Sequence, residues 1–258
     1  MLLQTVPARQ GLQWALQGMR TFWRQPLAMS GLFFLFMALI SLVSMLPLVG
    51  GVLALVLMPA LTVGLMAASQ VASEGRFPMP STLWQALRAG PHRLPMLQLG
   101  ALYAAGFLLL MGASFLMDGG QFARVYLAGE PMRADVVQSS SFQSALWVTM
   151  LLYIPLSMLF WHAPALVLWQ AVPPLKSLFF SWMACWRNKA AFVVYVLVWA
   201  AVFASAAVAA MVAASLLGNV QLTLSILMPL ALLVAAMFFT SMLFTVKDCF
   251  SAAPTQLA

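Results

Sequence analysis

Acidic side chains are scarce in this sequence: five Asp and Glu among 258 residues, beside twelve Lys and Arg, two His and two Cys. Each shortage excludes something. Charged residues are 7% of the chain, where a soluble domain carries about 25%, so there is too little charge to cover a water-facing surface. Two cysteines, Cys185 and Cys249, are too few for a disulfide framework and do not form a C-x-x-C pair. A structural metal site takes about three or four ligands, and no spacing of His, Cys, Asp and Glu suggests one. The glycine-rich phosphate loop, the G-x-S-x-G elbow and the H-E-x-x-H pair are all missing. The expectation is a protein that is not an enzyme and uses no cofactor.

What is abundant is apolar, 64% of the chain. Crossing about 30 Å of hydrocarbon takes about 20 apolar residues in a helix, and six runs are long enough. They are Pro26–Leu46, Val52–Val71, Leu94–Met117, Phe142–Gln170, Ala190–Leu217 and Leu222–Val246. The turn Pro47 to Gly51 makes the first two a hairpin, and Gly218-Asn219 joins the last two. Pro59 and Gly64 interrupt the second run, and Pro155 and Pro164 should kink the fourth. Gly100 with Ala104, and Ala101 with Ala105, sit at a spacing that lets membrane helices approach closely. Arg20 and Arg24 interrupt any signal-peptide core, so the first span is expected to be retained.

Three stretches before these runs look amphipathic. Pro174–Lys189 is the most distinctive. On a helix of about 100° per residue, Leu175, Leu178, Phe179, Trp182 and Trp186 share one side. Lys176, Ser177, Ser181, Arg187 and Asn188 share the other. In Val6–Gln25, Arg9, Gln13, Gln17, Arg20 and Arg24 oppose Leu12, Ala15, Leu16, Met19, Phe22 and Trp23, with Trp14 the exception. The shorter Ser81–Arg93 sets Leu83, Trp84 and Leu87 against Gln85, Arg88 and His92. Aromatic residues below and cations above is the pattern of a helix lying in a membrane interface.

The fold class that follows is all-α: six transmembrane helices and three amphipathic interfacial helices in a single membrane domain, 1–258. The order repeats as three parallel two-span units, roughly 6–71, 81–170 and 174–246. Orientation comes from the cations. Arg9, Arg20, Arg24, Arg76, Arg88, Arg93, Lys176, Arg187, Lys189 and Lys247 fall on one side, and Arg124 and Arg133 on the other. The positive-inside rule therefore sets both ends in the cytoplasm and 118–141 outside.

The candidate contacts with lipid headgroups are Arg9, Arg20, Arg24, Arg88, Arg93, Lys176, Arg187 and Lys189. Trp23, Trp84, Trp182 and Trp186 would anchor the interface, where indole is favoured. The cations are dispersed at the ends of apolar runs, so anionic headgroups explain them and nucleic acid does not. A membrane-protein partner or a second copy of the chain is the other implied contact. Within the spans, the ionisable side chain that draws attention is His162. It reads as an interfacial histidine beside a tryptophan, with a transport path near Pro59, Pro155 and His162 as the competing reading. Ion-coupled transport normally uses carboxylates inside the membrane, and the spans have none. Asp118 and Asp248, at span ends, read as solvated caps.

The stretches QTVPARQGLQW, GLFFLFMALIS and GALYAAGFLLLMG followed by DGGQFAR resemble a family of uncharacterised polytopic inner-membrane proteins of betaproteobacteria. More distantly, a basic-aromatic helix before paired spans is similar to the membrane domain of some bacterial glycerophosphodiester phosphodiesterases. Neither resemblance supplies catalytic residues, since the phosphodiesterase chemistry belongs to a separate soluble barrel. Two functions remain open: a lipid-binding or partner-binding membrane module, and a transporter or flippase-like protein.

The cation asymmetry generates a first prediction. Alkaline phosphatase fused after Gly129 should be active, and the same reporter fused after Ala258 should be inactive. Equal activity of the two fusions would refute the topology.

Overall fold

Six helical stretches in the computed structural model are long and apolar enough to cross a membrane: Pro26–Ser44, Gly50–Ser73, Arg93–Asp118, Ser140–Gln170, Lys189–Ala213 and Ser225–Cys249. The structure describes residues 2–88, 90–127, 130–131, 133–216 and 221–251. The expected turn at Gly218-Asn219 and the tail after Ser251 lie outside them. In order, the helices are α1 (Gln10–Arg24), α2 (Pro26–Ser44), α3 (Gly50–Ser73), α4 (Arg93–Asp118), α5 (Gln121–Leu127) and α6 (Ala134–Val137). They continue with α7 (Ser140–Phe160), α8 (Ala163–Gln170), α9 (Pro174–Arg187), α10 (Lys189–Leu216) and α11 (Gln221–Cys249). Two-residue strands β1 (Leu2–Leu3) and β2 (Phe250–Ser251) pair antiparallel.

The apolar runs become helices at nearly the expected bounds. Inside hydrocarbon every backbone group needs a partner from the chain itself, and the helix supplies one for each residue. Pro59 does not interrupt α3, which is helical from Gly50 to Ser73 with the proline inside it. The fourth run is broken, but not at Pro155, which lies within α7. The break falls at Trp161-His162, and Pro164 sits in the first turn of α8, where its missing N–H costs nothing.

The residues divide into two compact units. One is drawn from Met1–Met37, Leu61–Gln85 and Met183–Ala258, the other from Ala38–Ala60 and Ala86–Trp182. The first unit centres on α1, which packs against α10 and α11. Gly11 and Gly18, seven residues apart on one face, let the backbones approach. A Cβ on Gly11 would lie 2.7 Å from the Tyr195 backbone nitrogen, and one on Gly18 2.6 Å from the Ser241 Cα. Between them Trp14 is completely buried. Its ring centroid lies 5.2 Å from that of Phe192 and 6.0 Å from that of Tyr195. Tyr195 in turn shares a hydrogen bond of 2.6 Å with the Ser241 hydroxyl. Phe33 and Phe36 of α2 add to this unit through Phe239, at 5.5 and 5.6 Å.

The expected division of α1 into faces is therefore corrected: α1 packs on α10 and α11 while Arg9, Arg20 and Arg24 stay exposed. The residue that broke its amphipathic pattern, Trp14, is the centre of its packed face. Trp23, placed on the apolar face by the pattern, is 65% exposed. The expected helix over Ser81–Arg93 is also absent. Two short 3-10 turns stand there, Pro80–Thr82 and Gln85–Leu87. Leu83 and Ala86 are both buried, and a three-residue repeat stacks i and i+3 on one side. The Leu83 backbone lies directly on Gly64 of α3, where a Cβ would come 2.7 Å from the Leu83 Cα. Gly64 thus receives a neighbouring segment; it does not interrupt its own helix.

In the second unit α4 packs on α7, and the end where α5 joins is closed by Leu110, Met111, Phe122, Phe142, Ala145 and Leu156. Gly100 faces Val56 of α3, and a Cβ there would reach the Val56 carbonyl carbon at 2.9 Å. Of the two small-residue ridges on α4, Gly100 and Ala104 are buried, and Ala101 and Ala105 face outward. Asp118 is a cap, as expected, but a buried one. Its carboxylate accepts from the backbone N–H of Gly120 at 2.9 Å and of Phe122 at 2.6 Å, so it starts α5.

These close approaches give the second prediction. Gly18→Leu should lower stability by at least about 1–3 kcal/mol, the usual cost of overpacking, and reduce the monodisperse fraction after heating in detergent. Gly112→Ala, where nothing lies within 4 Å, should leave that fraction unchanged or slightly higher.

Candidate functional site

The site worth testing is the set of cations and aromatic rings at the ends of the spans, with α9 as its best-formed part. Helix α9 has three distinct sides. Ser177, Ser181, Ala184 and Asn188 form one stripe and are buried. Opposite them, Leu175 is 70% exposed, Phe179 59% and Trp186 53%. Lys176 and Arg187 lie exposed on the flank between. Leu178 and Trp182, expected on the same aromatic side, are half-buried. The expectation for Ser177, Ser181 and Asn188 is reversed: they face protein. Short polar side chains pack closely and can satisfy their own hydrogen bonds against a neighbour.

Two of these buried residues do specific work. Ser181 donates from its hydroxyl to the Met158 carbonyl at 2.7 Å and accepts the His162 backbone N–H at 2.9 Å. Met158 and His162 are an i, i+4 pair, so the serine hydroxyl stands where the helix hydrogen bond would be. That insertion opens span four. His162, expected as an interfacial histidine beside a tryptophan, is wholly buried.

Asn188, between α9 and α10, ties together distant segments of the first unit. Its Oδ1 accepts from the Val6 N–H at 2.8 Å, and its Nδ2 donates to the Gln4 carbonyl and to the Ala184 carbonyl, each at 3.0 Å. Cys249 Sγ lies 3.6 Å from the same nitrogen. Asp248 is not a solvated cap. Its Oδ2 accepts from Gln10 Nε2 at 2.6 Å and from Trp14 Nε1 at 2.8 Å. Burial, with Cys249 a lesser cause, pushes the Cys185 thiol well above the usual range, so it stays protonated and a poor nucleophile.

The remaining candidates are placed as follows. Arg9, Arg20, Arg88, Arg93, Lys176 and Arg187 are exposed. Arg24, also exposed, donates to the Ser73 carbonyl. Lys189 is exposed with its ammonium 5.2 Å from the centre of the Trp186 ring. Trp84 and Trp182 are half-buried. Pro59 is buried within α3 and Pro155 half-buried within α7. Acidic groups near these cations are few. Among the described residues the ion pairs are Arg76–Glu74 and Arg133–Asp135, both exposed, and such pairs contribute little. No three His, Cys, Asp or Glu side chains cluster among the described residues. The open groove that is present, about 430 Å³, is lined by Phe115, Gly119, Gly120, Ala123 and Arg124 at the end of α4.

The residues missed by pattern alone are Ser181, Asn188, Asp248, Trp14 and the pair Gly11 and Gly18. The one available signal was Trp14, out of place in an otherwise regular face, with glycines three before and four after it.

Six apolar helices with long outward-facing apolar sides define a multi-pass α-helical membrane protein. The chain is 37% identical to a protein of Burkholderia thailandensis named as a probable inner membrane protein, across 97% of this chain and 94% of the relative, and it belongs to that protein's family. No family model matches the chain, and no solved structure is similar to it. The comparisons show no likeness to the phosphodiesterase membrane domain.

Asn188 supplies the third prediction. Asn188→Leu would strip the Val6 N–H and the Gln4 carbonyl of their partner, at about 0.5–1.5 kcal/mol for each part-buried hydrogen bond lost. The segment before α1 should then detach, and trypsin should cut after Arg9 faster than in the native protein. An unchanged cleavage rate would show that the asparagine does not hold that segment.

Proposed function

We propose that this protein is a non-enzymatic inner-membrane module that holds anionic lipid at a basic and aromatic cytoplasmic rim. Both ends of the chain lie on the cytoplasmic side in this reading, and 118–141 lies outside. The observation that carries it is α9. A short helix between two spans turns Leu175, Phe179 and Trp186 outward, opposite a buried stripe, with Lys176 and Arg187 beside them. Apolar rings enter the acyl boundary while the cations meet phosphate, each contributing up to about 1 kcal/mol near an anionic surface. The scarcity of acidic partners supports the same reading: the ion pairs among the described residues, Arg76–Glu74 and Arg133–Asp135, take up none of the cations of α9.

A second reading, a transporter or flippase-like protein for a small or lipidic substrate, is favoured by one observation. Span four is discontinuous at Trp161-His162, and broken helices line the substrate sites of many transporters.

The test compares the native protein with the triple variant Lys176→Gln, Arg187→Gln, Lys189→Gln. The native protein should co-purify with phosphatidylglycerol in a salt-sensitive way. The variant should hold less, by up to about 3 kcal/mol if the three contributions add, while its spans stay inserted. Equal retention by both at low salt would remove the lipid-binding role from α9 and shift weight to the transporter reading.

A further inference from the structure

The polar stripe of α9 and its aromatic side are two faces of one helix, and they touch different things. The aromatic side meets the membrane surface in the reading above, on which this inference rests. The polar stripe reaches into span four. Ser181 occupies the gap between the Met158 carbonyl and the His162 N–H. Phe179, two residues before Ser181 and on the opposite side of the helix, is exposed, and Trp182, next to Ser181, is half-buried.

We infer that Ser181 is a wedge through which lipid bound to the outer face of α9 sets the bend of span four. With α9 seated at a headgroup surface, the hydroxyl stays inserted and the ladder stays open at His162. With α9 lifted, the hydroxyl withdraws and the His162 N–H loses its partner, which opens it to exchange. The chemistry outside the helix selects between the states: an anionic headgroup near Lys176 and apolar depth for Leu175 and Phe179 favour the seated one. The seated state needs no change in α8, whose residues Ala163 to Leu168 are buried as a block, so the bend moves the part of span four before His162.

The experiment is amide hydrogen exchange at His162 in the full-length protein, in nanodiscs of phosphatidylcholine alone and of equimolar phosphatidylcholine and phosphatidylglycerol. Bound phosphatidylglycerol is measured by mass spectrometry on the same samples. The native protein should exchange about fivefold more slowly in the anionic discs, the factor that one ordinary hydrogen bond represents. Ser181→Ala should exchange at one rate in both discs, and Ser181→Thr, which keeps the hydroxyl, should behave as native. The double variant Lys176→Gln, Phe179→Ala should lose the lipid dependence with the hydroxyl still in place, and it serves if Ser181→Ala fails to fold. Retained phosphatidylglycerol with no change at His162 overturns the coupling alone. A lipid dependence that survives in Ser181→Ala also overturns it. Failure of the native protein to retain phosphatidylglycerol overturns this inference together with the lipid-binding reading.

Discussion

A buried N–H or carbonyl inside hydrocarbon has no water to turn to, and the whole chain is arranged around that fact. It is why the apolar runs are helices from end to end, and why α3 stays helical through Pro59. It also explains why the one interrupted span is interrupted where a side chain can step in. The Ser181 hydroxyl both gives and receives, so a single group satisfies two backbone atoms that the open helix leaves apart. An apolar residue at that position would offer neither bond.

The second recurring device is close backbone approach at glycine. Gly11 and Gly18 bring α1 onto α10 and α11, Gly64 receives Leu83, and Gly100 receives Val56. Lipid tails are as apolar as leucine, so burying more leucine would bring little attraction between spans. Close approach instead gains dispersion contacts and short paths for hydrogen bonds, as in the Tyr195–Ser241 pair. Where such contacts fail, the apolar surface simply faces lipid, as Val193, Val196 and Leu197 do on α10.

Much of this was legible in the sequence, because span length and hydropathy are properties of single stretches. The ends of α2, α4, α10 and α11 follow the apolar runs closely. What escaped depended on partners far away in the chain. Periodicity grades Ser177, Ser181 and Asn188 as polar and cannot tell water from a waiting carbonyl. The face of α1 was drawn from its own residues, whereas its packing is set by Ala191, Tyr195 and Ser241. In Ser81–Arg93, three well-spaced apolar residues fitted a helix, yet Pro80 and Gly90-Pro91 left little room for one. Of the candidate site, the exposed cations and rings of α9 were readable, and the wedge behind them was not.

The ladder between Leu2–Leu3 and Phe250–Ser251, with the Gln4 N–H donating to the Cys249 carbonyl at 2.9 Å, has a consequence for biosynthesis. The segment made before α1 docks on one made only after α11. Until α10 and α11 are inserted, α1 has no groove for Gly11, Trp14 and Gly18, and its amphipathic length must wait at the membrane surface. The groove that α1 fills therefore forms only after α1 itself is made. The regular basic and apolar faces of α1 suit that temporary berth, and the misplaced tryptophan suits the permanent one.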